Sequence, residues 1–149
     1  WWGNDPSTRF SMPRDFAPAM GAAGWQVSNA PVLPIAAFVA SGRLFTEATM
    51  PALRAKSERM AAFMDTFLEP LVGQHIEVMT PREPERRGCQ VSLRVMRGAS
   101  SARSMLEERG IVCDFRPPNT LRAASVPLYN SFHDVYRFGR ALWEVVGHG

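Results

Sequence analysis

The sequence is poor in the residues that build metal sites and disulfide frameworks. Its 149 residues include two cysteines, Cys89 and Cys113, and three histidines, His75, His133 and His148. None of them forms a CxxC pair or a histidine cluster, whereas zinc ligands recur at short spacing. We therefore expect no metal site. The cysteines are typical of free core thiols in a reducing cytoplasm, where we expect this protein to be located.

Long apolar runs are also missing. Residues 16–42 carry no charge, but three prolines and several polar residues interrupt them. The continuous apolar part, 30–40, is shorter than the roughly 20 residues that a membrane span needs, and it is typical of a buried helix. No basic leader followed by an apolar segment opens the chain. The sequence thus predicts a soluble protein with no membrane partner.

Lysine is almost absent. Lys56 is the only lysine among 17 basic residues, which exceed the 14 acidic residues by three. The arginines are spread from Arg9 to Arg140 without a dense block, so no nucleic-acid-binding stripe is predicted. With 46% hydrophobic and 21% charged residues the composition is that of a globular domain. The chain opens with Trp1 rather than methionine, and we expect it to be one lobe of a longer protein.

The first half of the chain predicts loops followed by two helices. Residues 1–29 carry glycine, proline, asparagine and serine without a sustained period, which indicates loops and one short strand. A helix over 31–48 is apolar nearly all round, so we expect burial on more than one side. Thr49 is the expected N-cap of a second helix that runs to about Val72. Its apolar residues recur at a helical period: Leu53, Met60, Phe63, Met64, Phe67 and Leu71.

The second half predicts four strands and two helices. Strands are expected over 75–79, 89–95, 111–115 and 121–125, of which the second alternates apolar and polar residues most clearly. Ser100 or Ser101 is the expected cap of a helix that ends before Gly110. A final helix begins with a capping box of Ser131 and Asp134. Its apolar face comprises Val135, Phe138, Leu142, Val145 and Val146. This order predicts an α+β fold with helices on one face of a mainly antiparallel sheet.

Few residues suggest chemistry by their type and place. Arg122 lies on a short strand after a Pro-Pro-Asn turn, where a forked guanidinium can bind a carboxylate, although a solvent-facing arginine is the commoner case. Ser28 and Asn29 are expected at the N-cap of the apolar helix, where they either cap it or help to bind an anion. The indoles of Trp1 and Trp2 either donate to a ligand or fill a core. No Ser/His/Asp or Cys/His arrangement is specific.

Four segments of the sequence resemble one enzyme family. Residues 1–10 (WWGNDPSTRF), 25–33 (WQVSNAPVL), 85–90 (ERRGCQ) and 107–136 (EERGIVCDFRPPNTLRAASVPLYNSFHDVY) together resemble the C-terminal portion of kynureninase. The resemblance spans nearly the whole chain, and its last block is long and specific. It implies the small C-terminal domain of the aminotransferase-like fold (fold type I) over 31–149, preceded by a loop-rich segment, 1–30, from the end of the large cofactor domain.

The resemblance also implies an activity. Kynureninases are pyridoxal 5'-phosphate enzymes that hydrolyse kynurenine or 3-hydroxykynurenine, in tryptophan catabolism, to alanine and an anthranilate or 3-hydroxyanthranilate. The cofactor supplies an electron sink, and the protein supplies binding and orientation. Their active sites lie at a homodimer interface, so we expect a homodimer that shares its sites and acts on a small molecule.

By the same resemblance, four residues match binding positions of the family. Trp1 matches an indole that binds the cofactor phosphate, and Ser28 matches a hydroxyl that also reaches this phosphate. Asn29 matches a residue between the cofactor and the aromatic ring of the substrate, and Arg122 matches the arginine that binds the substrate α-carboxylate. The family often has histidine after its WWG segment, where this chain has Asn4.

The family's Schiff-base lysine matches no position of this chain. Lys56 lies on the polar side of the second helix, which is not the setting of that lysine, so we expect no catalytic residue in this chain and no activity of the chain alone. Another aminotransferase-like enzyme, such as a desulfurase or an aminotransferase, is the closer alternative. A non-catalytic interaction module that docks through the apolar helix is the other.

Overall fold

The computed structural model describes residues 2–147, which form four α-helices and four β-strands in two compact units, Trp1–Glu47 and Ala48–Gly149. In chain order these elements are helix α1, Val32–Ala48; helix α2, Met50–Leu68; strand β1, Ile76–Val78; strand β2, Gln90–Val95; helix α3, Ala99–Glu108; strand β3, Asp114–Arg116; strand β4, Thr120–Ala124; and helix α4, Phe132–Val146. Short 3₁₀ turns occupy Arg9–Ser11, Gly21–Trp25, Glu69–Leu71 and Pro84–Arg86. The expected domain boundary at residues 30 and 31 stays a prediction.

The second unit is a four-stranded sheet with helices packed against one face. The strand order is β1-β2-β4-β3, and every neighbouring pair is antiparallel. Alternate side chains of the two central strands are buried, among them Leu93 and Leu121, which face each other across the sheet. They pack with buried residues of the three helices: Met60, Met64, Leu68, Ala102, Leu106, Val135, Phe138 and Leu142. The predicted α+β fold class is confirmed.

Both long helices of this unit begin as the sequence predicts. The Thr49 side chain accepts a hydrogen bond from the backbone N–H of Ala52 at 3.4 Å, which caps α2. At α4 the Ser131 hydroxyl accepts from the backbone N–H of Asp134, whose carboxylate in turn accepts from the backbone N–H of Ser131 at 2.7 Å. These caps satisfy N–H groups that have no partner within the helix.

Two local predictions in the second unit are wrong. Helix α3 begins at Ala99 after Gly98, which has a φ of 63° and supplies no side-chain cap, so Ser100 and Ser101 lie inside the helix. Glycine adopts this left-handed conformation without steric cost, and the sharp turn that it allows sets the start of the helix. The third strand covers only Asp114–Arg116, because the three residues before it do not pair with β4.

Helix α1 has nearly the predicted length, but its predicted burial is wrong. None of its residues is buried, and the side chains of Leu33 and Phe38 are 83% and 76% exposed. An apolar helix becomes buried only where another surface covers it. Within the described residues, α1 therefore presents uncovered apolar side chains.

The loop-rich start of the first unit is organised by hydrogen bonds around Asn4. The carboxamide oxygen of Asn4 accepts from the backbone N–H of Ala17 at 3.0 Å, and an isolated β-bridge joins Asn4 to Pro18 in place of the predicted strand. A Cβ atom on Gly3 would lie 2.6 Å from the carbonyl oxygen of Gly24. Only glycine fits at this close approach, so the segment folds back on itself.

The crossing of α2 and α4 depends on Gly139. A Cβ atom at this position would lie 2.4 Å from Cγ of Phe67, a distance that real Cβ atoms do not show. The Phe67 ring packs edge to face with Phe63 and Tyr136 at centroid distances of 5.1 and 5.9 Å, which limits how far it can move. Gly139 therefore allows the two helices to approach closely.

We predict that Gly139→Ala destabilises the protein by about 1–3 kcal/mol, because the added methyl group overpacks this helix crossing. The measurement is urea unfolding followed by circular dichroism. Gly42→Ala is the matched control, since Gly42 is also helical but nothing lies within 4 Å of an added Cβ. It should be neutral or stabilising by up to about 1 kcal/mol. Equal unfolding midpoints for the two variants would contradict the close approach at Gly139.

Candidate functional site

Arg122 lies on the face of the sheet that the helices leave open. Its neighbours on β4, Leu121 and Ala123, are buried in the core. Because successive side chains of a strand point to opposite faces, Arg122 points away from that core. Its side chain is 31% exposed, so the guanidinium is accessible to a ligand.

Asp114 binds the Arg122 guanidinium from the adjacent strand. The two residues face each other in the β3–β4 register. Nε and Nη2 of Arg122 both lie 2.5 Å from Oδ2 of Asp114, and Nε of Arg116 donates to the same oxygen at 2.9 Å. The hydrogen bond from Arg116 lowers the pKa of Asp114, and the hydrogen bond from Arg122 lowers it further. Partial burial raises this pKa but does not cancel the two hydrogen bonds. Asp114 is therefore a carboxylate at neutral pH.

The open face carries a second ion pair. Arg94 on β2 pairs with Glu77 on β1, its partner in the register. Together with the group around Asp114, this face presents three guanidinium groups, of Arg94, Arg116 and Arg122, and two carboxylates. The excess of one positive charge favours an anionic ligand on this side of the sheet.

The structure separates Ser28 and Asn29 from the helix end at which the sequence places them. Helix α1 begins at Val32, and the backbone N–H of Ile35 donates to the carbonyl of Pro31 at 3.0 Å. Ser28 and Asn29 precede that turn and are exposed, so the prediction that they form its N-cap is wrong. The two prolines near the start of the helix, Pro31 and Pro34, account for the shift, since proline fits the first turn. Trp1 lies outside the described residues.

Lys56 has a structural role that sequence reasoning missed. Its Nζ atom donates to the carbonyl oxygens of Pro127 and Asn130, both at 2.8 Å. The same loop is closed by the side chain of Asn130, which accepts from the backbone N–H of Val126 at 2.9 Å. Lys56 therefore ties helix α2 to the loop between β4 and α4.

A cleft of about 190 Å³ lies between this loop, α4 and the segment before β3. Its polar lining residues include Asn130, Asp134 and Arg137. The Asn130 side chain accepts from the backbone of the loop, and the Asp134 carboxylate accepts from the cap residue of α4. The Arg137 side chain donates to the carbonyl of Arg109. The rest of the lining is largely apolar and includes Ile111, Val112, Val135 and Phe138. Because these polar groups already have partners, the cleft is a weaker candidate for a polar ligand than the guanidinium of Arg122.

Cys113 lines the same cleft and is a poor nucleophile. Burial raises the pKa of its thiol to about 11, and the negative charge of Glu107 contributes. A thiol needs to be ionised to react, so Cys113 is protonated and inert near neutral pH. Because the pKa of Cys113 is higher in the folded protein than in the unfolded chain, the protonated thiol contributes to the free energy of unfolding. This contribution is complete below the ordinary pKa of a thiol and is lost as the pH rises through about 11.

We predict that Cys113 reacts with iodoacetamide at pH 8 at least about 100-fold more slowly in the folded protein than in urea, because a thiol with an ordinary pKa near 8.5 is far more ionised at that pH. Mass spectrometry of a Cys89→Ser variant, in which Cys113 is the single cysteine, measures this rate. Equal rates in the two conditions would show that the thiol is neither buried nor perturbed.

Among residues 2–147 there is no group of three or more histidine, cysteine, aspartate or glutamate side chains that could hold a metal ion. Within the same residues, no helix is both long and apolar enough to cross a membrane.

A solved structure shows the same fold. A protein named "NIFS-like protein" matches 88% of this chain and 38% of its own chain with a TM-score of 0.66. The two sequences are 16% identical, so this match concerns the fold alone. The aminotransferase-like fold that the sequence resemblance implies is confirmed.

The sequence comparisons identify the family. Residues 53–142 match the family model described as the kynureninase C-terminal domain. Proteins named kynureninase from Myxococcus xanthus and Xanthomonas oryzae pv. oryzae are 47% and 48% identical over 142 and 141 residues. These matches cover 95% and 93% of this chain but 33% of each relative, so the chain spans about a third of their length. The chain belongs to the kynureninase C-terminal domain family.

Proposed function

We propose that this chain is the C-terminal third of a kynureninase. The full-length protein hydrolyses kynurenine or 3-hydroxykynurenine to alanine and anthranilate or 3-hydroxyanthranilate, in the cytoplasm, as a homodimer with shared active sites. The observation that carries the proposal is the identity of 47% to a protein named kynureninase over nearly the whole chain. It favours this family over a desulfurase or an aminotransferase, because the NifS-like match rests on the fold alone.

Arg122 binds the α-carboxylate of the substrate in this proposal. The residue lies within the matched range, 53–142, and on the open face of the sheet. Its planar guanidinium has five N–H donors, and two of them arranged side by side fit the two oxygens of a carboxylate. Among the described residues, Asp114 is the only partner recorded for it. Donors of Arg122 therefore remain for a second carboxylate.

Ser28, Asn29 and Trp1 bind the cofactor in this proposal. The hydroxyl of Ser28 and the indole of Trp1 bind the phosphate of pyridoxal 5'-phosphate, and Asn29 lies between the cofactor and the substrate ring. The exposure of Ser28 and Asn29 is compatible with ligand contact. The side chain of Gln26 donates to the carbonyl of Ser28 at 2.9 Å, which restrains this segment. Within residues 2–147 the Ser28 hydroxyl makes no hydrogen bond, so it is available to a phosphate.

Pyridoxal 5'-phosphate supplies the electron sink that such a reaction requires. The residues present fit its phosphate and the substrate carboxylate, but they do not fit its covalent anchor. The amine of Lys56, the single lysine of the sequence, donates to two carbonyl oxygens. The role of this chain is therefore to bind and orient, and the residue that attaches the cofactor lies in the rest of the protein.

We predict that Arg122→Ala lowers kcat/KM of the full-length protein for kynurenine by roughly 10- to 150-fold, because charged hydrogen bonds contribute about 1.5–3 kcal/mol. Steady-state kinetics of the purified enzyme measures this. Arg94→Ala is the matched control, since Arg94 lies on the same face of the sheet and also pairs with a carboxylate. An unchanged kcat/KM in Arg122→Ala would remove Arg122 from the site.

We also predict that this chain alone does not bind pyridoxal 5'-phosphate covalently through Lys56. After incubation with equimolar cofactor and reduction with borohydride, peptide mass spectrometry should find Lys56 unlabelled, because its amine is bound by the carbonyls of Pro127 and Asn130. The full-length protein treated in the same way is the control and should be labelled stoichiometrically at another lysine. Stoichiometric labelling at Lys56 is the result that contradicts this assignment.

A further inference from the structure

Asp114 contacts the Arg122 guanidinium from the adjacent strand. We propose that Asp114 is a positioning residue, which holds one edge of the guanidinium so that the opposite edge faces the substrate carboxylate. This inference rests on the proposed function, because it takes Arg122 as the carboxylate-binding residue.

The contact between the two residues uses only one edge of Arg122. Nε and Nη2 lie on the same side of the planar group, and both lie within hydrogen-bonding distance of Oδ2 of Asp114. A planar group bound at two of its nitrogens keeps its orientation. Nη1 and the second hydrogen of Nη2 form the other edge, and no described residue is recorded as binding that edge.

The sheet determines which edge Asp114 occupies. Asp114 and Arg122 face each other across β3 and β4, so their Cβ atoms are about 4.5–5.5 Å apart. The aspartate side chain is short and reaches the near side of the guanidinium at Nε, whereas the arginine side chain extends beyond it. The far edge therefore projects past the carboxylate, where a ligand can approach it.

Arg116 keeps this pair able to attract an anion. It donates to the same Oδ2 atom that binds Arg122, so two guanidinium groups share one carboxylate. The group of three has a net charge of +1, and Asp114 orients Arg122 without cancelling the charge that a substrate carboxylate needs. The lowered pKa of Asp114 keeps it ionised at neutral pH, so the arrangement persists where the enzyme works.

The test uses the full-length protein with Asp114→Asn, which keeps the shape of the side chain and removes its charge. We expect the KM for kynurenine to rise roughly 3- to 10-fold with kcat within twofold, because an arginine that is free to rotate loses entropy when the substrate orders it. Glu77→Gln is the matched control, since Glu77 forms the equivalent cross-strand pair with Arg94 and makes no recorded contact with Arg122. It removes the same negative charge from this face without freeing Arg122, so it should leave kcat within twofold and should not raise KM.

A second readout separates positioning from a general loss of structure. Inhibition by a non-reacting substrate analogue is compared with inhibition by the same analogue whose α-carboxylate is a carboxamide. In Asp114→Asn we expect the inhibition constant of the carboxylate to rise 3- to 10-fold and that of the carboxamide to stay within twofold. An equal rise for both analogues means that Asp114 only supports the fold, and this overturns the proposal.

The double variant Asp114→Asn/Arg122→Ala distinguishes failure of this inference from failure of the proposed function. If Asp114 acts through Arg122, the double variant binds the carboxylate analogue no more weakly than Arg122→Ala alone. If Arg122→Ala impairs binding but Asp114→Asn behaves like Glu77→Gln, positioning by Asp114 is wrong and the function stands. If Arg122→Ala itself has no effect, the assignment of Arg122 fails.

Asp114→Glu keeps the negative charge. Its KM for kynurenine should lie between the values for the wild type and for Asp114→Asn.

Discussion

Burial of one face of the four-stranded sheet is the constraint on which the rest of the second unit depends. Helices α2, α3 and α4 cover the face that carries Leu93 and Leu121, and this leaves the opposite face open. Because side chains alternate along a strand, a register shift of one residue would move Arg122 into the core and Leu121 into solvent. The hydrophobic core thus determines that Arg122, Asp114 and Arg94 share one accessible surface. The position of this candidate site is a consequence of how the sheet is packed.

Much of the segment that carries the family resemblance serves the architecture. In the block over 107–136, Asn130 closes the loop before α4, Ser131 and Asp134 cap that helix, and the carbonyls of Pro127 and Asn130 bind Lys56. These polar groups satisfy one another within the fold. Arg122 differs, because its partner Asp114 leaves donors available. A strong motif match therefore identifies the family, and the hydrogen-bond pattern shows that Arg122 keeps donors that Asp114 does not use.

The sequence could predict what depends on periodicity and local capping, and little of what depends on tertiary neighbours. The alternation in β2, the helical period of α2 and the Ser131–Asp134 box each have a signature within a few residues, and all three predictions are confirmed. The start of α3 depends on the left-handed backbone of Gly98. The two serines that follow this glycine are common capping residues, so the sequence pattern favoured them instead. The roles of Lys56, Gly139 and Asp114 depend on contacts with residues that are distant in the sequence. The separation is 8 residues between Asp114 and Arg122 and 74 residues between Lys56 and Asn130, so no local pattern reveals these roles.

The charge arrangement around Arg122 explains why a carboxylate rather than a neutral side chain is suited to hold it. An asparagine in place of Asp114 would keep one acceptor oxygen, but its amide group would also present donors, which repel a guanidinium. A lone aspartate would orient Arg122 and also neutralise it, which weakens the attraction for an incoming anion. Arg116 resolves this conflict, since it shares the carboxylate oxygen with Arg122 and restores a net positive charge. Orientation of Arg122 and affinity for an anion can therefore coexist here, because all three residues lie on two adjacent strands of one sheet face.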